Sequence, residues 1–191
     1  MSRTRPRGKS PRGFLYIDMS LTVWTIGHST RTGDDFRDTL AAYGIEALID
    51  VRRFPGSRRL PQFGSDELER DLDRAGIAYR WLESLGGRRR ALPGSVNTAW
   101  RNDAFRAYAD HLASEEFAEG LEELLMVAHG LRTVVMCAEV LWWRCHRRLI
   151  ADVLVTLEAD VVHIRDANHS ELHRLVAPAR FAEGQLTYSA P

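Results

Sequence analysis

Residues 131–164, LRTVVMCAEVLWWRCHRRLIADVLVTLEADVVHI, decide the fold. The run LRTVVM is apolar and β-branched, the pattern of a strand buried on both faces. CHRRLIADVLVTL spaces its apolar residues for a helix over Cys145–Leu157. DVVHI, Asp160–Ile164, reads as a further strand. Strand, helix and strand in about thirty residues make a βαβ unit, and βαβ units make parallel sheets. Cys137, Glu139, Cys145, His146 and Arg147 therefore cluster where a strand ends and a helix begins. In an open α/β sheet that rim is where ligands bind.

The same alternation runs upstream. Strands are expected at Thr22–Ile26, Ala47–Val51, Ala78–Leu82 and Arg132–Cys137. Helices are expected at Asp34–Tyr43, with Thr32 as cap and Gly44 as stop, and at Ser65–Ala75, capped by Ser65 and ended by Gly76. Two more are expected at Asn102–Ala113 and Glu115–Ala128. The pattern predicts a single Rossmann-like α/β domain over residues 19–191, a mostly parallel sheet flanked by helices. Residues 1–18 are basic and rich in Pro, Gly and Ser, and are expected to be a disordered extension. A nucleic-acid-binding arm is the alternative there, and Met19 is a candidate start. The irregular stretches 52–64 and 83–100 both carry arginine clusters, and loops of that length in a compact domain serve function or move.

At 191 residues the chain can bury one proper core. Its formal net charge is zero, so no global field draws it to nucleic acid or membranes. Lys9 is the only lysine among 26 basic residues; the arginines that replace lysine carry a planar fork suited to carboxylate and phosphate. No stretch approaches the ~20 apolar residues of a membrane helix, and no signal-peptide core follows the basic start. These features predict a cytoplasmic protein. Two cysteines there suggest reactivity or metal binding, or only packing, rather than a disulfide framework.

Parallel strands deliver their C-terminal ends to one edge, here His28, Asp50, Arg52, Cys137 and Glu139. Cys137 is a candidate nucleophile if a cation, His28, Arg52 or His146, lowers its pKa; its rival role is a small apolar residue closing a core strand. Cys145 lies near a helix start, where an anion is favoured. Glu139 and Asp50 are candidate acid–base groups, or bridges to Arg52 and Arg147. His28 is a ligand contact or a turn histidine. Arg52, Arg58, Cys145, His146 and Arg147 are the expected substrate-binding residues. The C-x7-C-H spacing is unlike that of structural zinc, so no metal is assigned and the cofactor is left open. Neither GxGxxG nor a P-loop occurs, and Arg144 follows Cys137 one residue too late for a phosphatase loop. His169 and His173, four apart, are read as surface residues on a helix. Trp142 and Trp143 are candidate pocket walls, with loop packing the stronger reading.

The segments TIGHST, LIDVRRFPGSRRLPQF, YRWLESLGGRR, FRAYADHL, VVMCAEVLWWRCHRRLIAD and VVHI follow one another between Val23 and Ile164. In that order they resemble the bacterial and archaeal family catalogued as domain of unknown function 488, as does the closing ARFAEGQLTY. The resemblance implies an α/β fold and gives the paired cysteines functional weight. It supplies no reaction.

The expectation is an anion- or phosphate-binding active site at the C-terminal rim of the sheet, acting on a nucleotide or nucleic acid. A non-catalytic nucleic-acid adaptor and a cysteine-based redox or metal switch are the alternatives.

Overall fold

A computed structural model of the chain describes residues 21–190, apart from Ala91 and Glu183. The expectations for residues 1–18 and for Met19 lie outside these residues. The element order is β1 (Thr22–Gly27), α1 (Gly33–Ala42), β2 (Ala47–Asp50), α2 (Ser65–Arg74), β3 (Ala78–Trp81), α3 (Asp103–His111), α4 (Glu115–Gly130), β4 (Thr133–Cys137), α5 (Arg147–Thr156) and β5 (Asp160–Ile164), then three short strands, β6 (Ser170–Leu172), β7 (Arg180–Ala182) and β8 (Gln185–Thr187). The main sheet has six strands in the order β3-β2-β4-β1-β5-β6; β7 and β8 form a separate hairpin. The pairs among β1–β5 are parallel, and β6 adds an antiparallel edge to β5. The fold is the expected Rossmann-like α/β domain.

Period-two alternation feeds two cores. Val23, Ile49 and Val135 pack with Tyr108, Phe117, Leu124 and Leu149 from α3, α4 and α5. Trp24, Ile26, Leu48 and Met136 pack with Phe36, Leu40, Leu68 and Leu72 from α1 and α2. Helices cover both faces, which is why the central strands read as unbroken apolar runs. The chain moves from β1 out to β3 with α1 and α2 on one face, and back through β4 to β5 with α3–α5 on the other. Right-handed crossovers require that division. β1 and β4 are neighbours whose outgoing connections leave in opposite directions, and a crevice opens beyond their carboxyl ends.

Helix termini follow local chemistry. Thr32 caps α1 by accepting from the Asp35 amide at 3.1 Å, Asn102 caps α3 and Ser114 caps α4. α2 departs from expectation: Gly64 is the cap and Ser65 is the first helical residue. α5 begins at Arg147 rather than Cys145, because a single 3-10 turn, Trp142–Arg144, comes first and His146 is the cap.

The segment around His169 and His173 is a strand with its approach, not a helix, because it pairs with β5. His169 is exposed beside Asp166, whereas His173 is only 4 % exposed, which corrects the surface reading of the latter. Trp142 stacks on His163 at 4.0 Å and Trp143 is exposed; both are loop-packing residues, not cavity walls. No helix among the described residues is long and apolar enough to cross a membrane.

Candidate active site

The crevice between β1 and β4 is closed at its base by backbone. The His28 amide donates to the Cys137 carbonyl and the Ser29 amide to that of Ala138, each at 3.0 Å. Gly27 ends β1 without a side chain because a Cβ there would lie 2.0 Å from the Glu139 carbonyl oxygen. The loop after Cys137 therefore lies flat across β1. Above it opens a cavity of about 610 Å³, lined by Arg88, Arg144, Tyr108, Cys137, Cys145 and His146 among others. That volume suits a small ligand. A neighbouring hollow of about 470 Å³ is lined by His28 and Arg59, and shares Arg52 and Phe54 with the first.

Both cysteines are free thiols, Cys137 half-buried and Cys145 buried. His146 fixes the protons around them. Its Nε2 lies 3.0 Å from the Val51 carbonyl, which can only accept, so Nε2 carries hydrogen. In the neutral ring Nδ1 is then a lone pair, and it lies 3.6 Å from Cys145 Sγ. This arrangement can take the thiol proton. A hydrogen bond from the Cys137 thiol, followed by the charges of His146 and Arg147, holds Cys145 well below the ordinary thiol pKa. Cys137 moves the opposite way, raised by its bond to Cys145 and by burial. The two thiols thus move in opposite directions, Cys145 towards the thiolate and Cys137, the expected nucleophile, towards the neutral form. Gly87 packs against the ring: a Cβ there would lie 2.9 Å from Nδ1.

Arg147, expected from sequence as a substrate contact, is 1 % exposed and lines neither hollow. Its Nη2 donates to the Glu139 carbonyl and its Nη1 to Thr25 Oγ1 at 3.3 Å. Its Nε has no partner, and no carboxylate pairs with it among the described residues. α5 is also the one α-helix among the described residues with neither a side-chain cap bond nor an acidic residue in its first turn; α2, also uncapped, has Asp66 and Glu67 there. The donor atoms of Cys137, Cys145 and His146 lie within 4.8 Å of one another. They are one short of a closed zinc site, and a dication would add to the charge of Arg147.

Asp50 and Arg52 hold each other. Asp50 is fully buried and accepts from Arg52 Nε at 2.9 Å, Arg52 Nη2 at 2.5 Å, the Arg52 amide at 3.0 Å and the Tyr79 hydroxyl at 2.9 Å. With its oxygens so occupied it has no free lone pair facing the cavity, and the bridging alternative describes it better than acid–base work. Arg52 Nη1 continues to the Phe63 carbonyl at 2.7 Å and meets His28 Nε2 at 3.4 Å. His28 stacks on Phe63 at 4.1 Å and donates from Nδ1 to the Ser29 carbonyl at 2.8 Å. Burial lowers its pKa from 6.5 to about 4, so at neutral pH it is not the cation that acidifies a thiol.

Glu139 is exposed on the cavity wall, its Oε1 accepting from the Leu141 amide at 3.0 Å. Arg58 is exposed and lines neither hollow; the loop presents Arg59 instead. The crevice thus brings together Cys137, Glu139, Cys145, His146 and Arg52, seats His28 next door, buries Asp50 and Arg147 beneath, and leaves out Arg58. Gly87, Arg88, Tyr108 and Arg144 also line the cavity and were not among the expected site residues. Tyr108 was signalled within FRAYADHL, Gly87 and Arg88 lie in the 83–100 loop, and Arg144 lies in the turn before α5; the course of those two segments only the folded chain reveals.

No curated protein and no solved structure matches the chain. A family model described as "Domain of unknown function DUF488" matches residues 32–154, from the cap of α1 into α5 and through both cysteines. That is more than half of the 191 residues, and the chain belongs to the DUF488 family.

Proposed function

We propose that the crevice is the active site of an enzyme that acts on an anionic, phosphate-bearing substrate through a Cys145 thiolate. The observation that carries this is the orientation of His146: tied to Val51 by Nε2, it turns Nδ1 to Cys145 Sγ at 3.6 Å. A thiol beside a base oriented by a third group is the arrangement of nucleophilic catalysis. His146 takes the proton, and Sγ attacks the electrophilic centre. The bond to the leaving group breaks, that group departs with the electron pair, and His146 returns the proton to it. Water then attacks the same centre, its proton passes to His146, and sulfur leaves as the Cys145 thiolate. Cys137, kept neutral, donates to the thiolate in the resting state.

Anion selectivity comes from the rim. Arg88 and Arg144 line the cavity and have no carboxylate partner among the described residues, while Arg53 is shared between Glu83 and Glu116. Phe54 and Phe105 sit in the same wall. Arginines beside aromatic faces suit a phosphate attached to a planar base, which makes a nucleotide or nucleic-acid end the preferred substrate class. An adaptor without chemistry gives the thiol–imidazole pair no task.

The test is alkylation of reduced, chelator-treated protein across pH, each cysteine read by peptide mass spectrometry. Cys145 should react with an apparent pKa below the ordinary ~8.5, Cys137 should not, and a nucleoside monophosphate should protect Cys145. Equal, slow reaction of both cysteines without protection refutes the proposal.

A further inference from the structure

Behind the crevice, polar groups join in a buried chain that the chemistry above does not use. Arg147 Nη1 meets Thr25 Oγ1, which lies 2.7 Å from His163 Nδ1. His163 Nε2 lies 2.9 Å from His173 Nδ1, and His173 Nε2 lies 2.8 Å from Asp152 Oδ1. The Tyr188 hydroxyl donates to Asp152 Oδ2 at 2.7 Å. Thr25, His163, His173, Asp152 and Tyr188 are all buried. They come from β1, β5, the end of the β6 segment, α5 and the residue after β8.

The two ends of the chain fix every proton in it. A guanidinium only donates and a carboxylate only accepts. Asp152 therefore requires hydrogen on His173 Nε2, leaving His173 Nδ1 to accept. His163 must then donate from Nε2 and accept at Nδ1. The Thr25 hydroxyl supplies that donor, and its oxygen receives Arg147. A second proton on His173 would reverse His163 and leave the Thr25 hydroxyl hydrogen with no acceptor in the chain. Burial keeps His163 neutral, with its pKa lowered to about 2. A buried cation is thus joined to a buried anion, about 7.5 Å along α5, through neutral groups that all point one way.

We propose that Thr25, His163, His173 and Asp152 are positioning residues that hold Arg147 as a fixed cation beside the thiol pair and thereby set the acidity of Cys145. This rests on the thiolate reading above. Arg147 is two residues from Cys145, and its Nη2 holds the carbonyl of Glu139, two residues beyond Cys137. The titratable and charged groups that face Cys145 are Cys137 from β4, His146 and Arg147 from the start of α5, Tyr108 from α3 and His163 from β5. Of these, Arg147 is the fixed cation, and the buried chain reaches it through Thr25.

Two measurements test it on the whole chain. Long-range ¹H–¹⁵N spectra of the wild-type histidine rings should show His163 and His173 both as Nε2–H tautomers at neutral pH. The alkylation pKa of Cys145 should rise by about one unit in Thr25→Val, since a charge-assisted hydrogen bond is of that order, and return to the wild-type value in Thr25→Ser. A merely structural role for Thr25 lowers the melting temperature without moving that pKa. Nδ1–H tautomers, or a low Cys145 pKa that Thr25→Val leaves unmoved, overturn the positioning chain alone. An ordinary Cys145 pKa in the wild-type protein, with the tautomers as stated, refutes the thiolate reading and with it the purpose assigned to the chain.

Discussion

Gly87→Ala isolates the imidazole without touching either cysteine. The added methyl carbon would lie 2.9 Å from His146 Nδ1 and 3.3 Å from both Cγ and Cε1. A comfortable contact needs roughly half an ångström more. The ring has little room to give: Nε2 is held by the Val51 carbonyl at 3.0 Å, and the Tyr108 ring lies 4.9 Å from it. Overpacking of this kind costs about 1–3 kcal/mol in stability. Moving Nδ1 out of reach of a sulfur 3.6 Å away also removes a hydrogen bond to a charged group, about 1.5–3 kcal/mol. At about 1.36 kcal/mol per unit, the Cys145 pKa rises by roughly one to two units, and the pH midpoint of its alkylation moves up by the same amount. The assay is the alkylation profile, with a thermal melt confirming that the variant is folded. A folded Gly87→Ala protein with an unchanged Cys145 profile would refute the reasoning, because His146 would then have no part in the thiol's acidity.

Three further outcomes are expected. Asp50→Asn breaks a buried ion pair and leaves Arg52 uncompensated, so chemical denaturation should register a loss of about 3–5 kcal/mol; a loss under about 1 kcal/mol would mean the pair behaves as a surface contact. His28 and His163 have folded pKa values of about 4 and about 2 against 6.5 unfolded. Their contribution is therefore complete above pH 6.5 and declines on acidification, by about 1.4 kcal/mol per pH unit for each residue below it; denaturation midpoints that stay level between pH 7 and pH 5 would contradict this. Arg88→Ala and Arg144→Ala should each weaken nucleotide protection of Cys145 about tenfold while the melting temperature holds. Arg58→Ala should change neither, and an Arg58 effect as large as theirs would move the anion site to the other end of the loop.

The layered fold could be read from residues because its signals are local. The apolar runs of β1, β2 and β4, the Thr32 and Gly44 punctuation of α1 and the alternation of strands with helices each sit within a dozen residues. The rim could be read too, since parallel strands send their ends to one edge; that placed Cys137, Glu139, Cys145 and His146 together. What the residues did not disclose was direction. Cys145 rather than Cys137 is drawn towards the thiolate by the Cys137 thiol and then by His146, whose tautomer is selected by the Val51 carbonyl nearly a hundred positions away. Arg147 looked like a ligand contact because its burial depends on Thr25 and on the Glu139 carbonyl. His173 looked exposed because an i,i+4 spacing was assumed where the segment pairs with β5. Asp152 did carry a sign: a carboxylate among Leu149, Ile150 and Leu154 on a buried helix needs donors, and two were waiting on distant elements.

Tyr188 has a consequence in time as well as in space. Synthesis runs from the amino end, so the tyrosine leaves the ribosome after Thr25, Arg147, Asp152, His163 and His173. Its backbone also ties into the loop ahead of α3: its amide donates to Asn97 Oδ1 and its carbonyl accepts from the Ala99 amide, both at 2.9 Å. Until it docks, Asp152 lacks one of its two donors and that loop lacks two of its hydrogen bonds. Assembly of the sheet can begin during translation. The electrostatics proposed for the thiol pair therefore wait on Tyr188, the last of these residues in chain order.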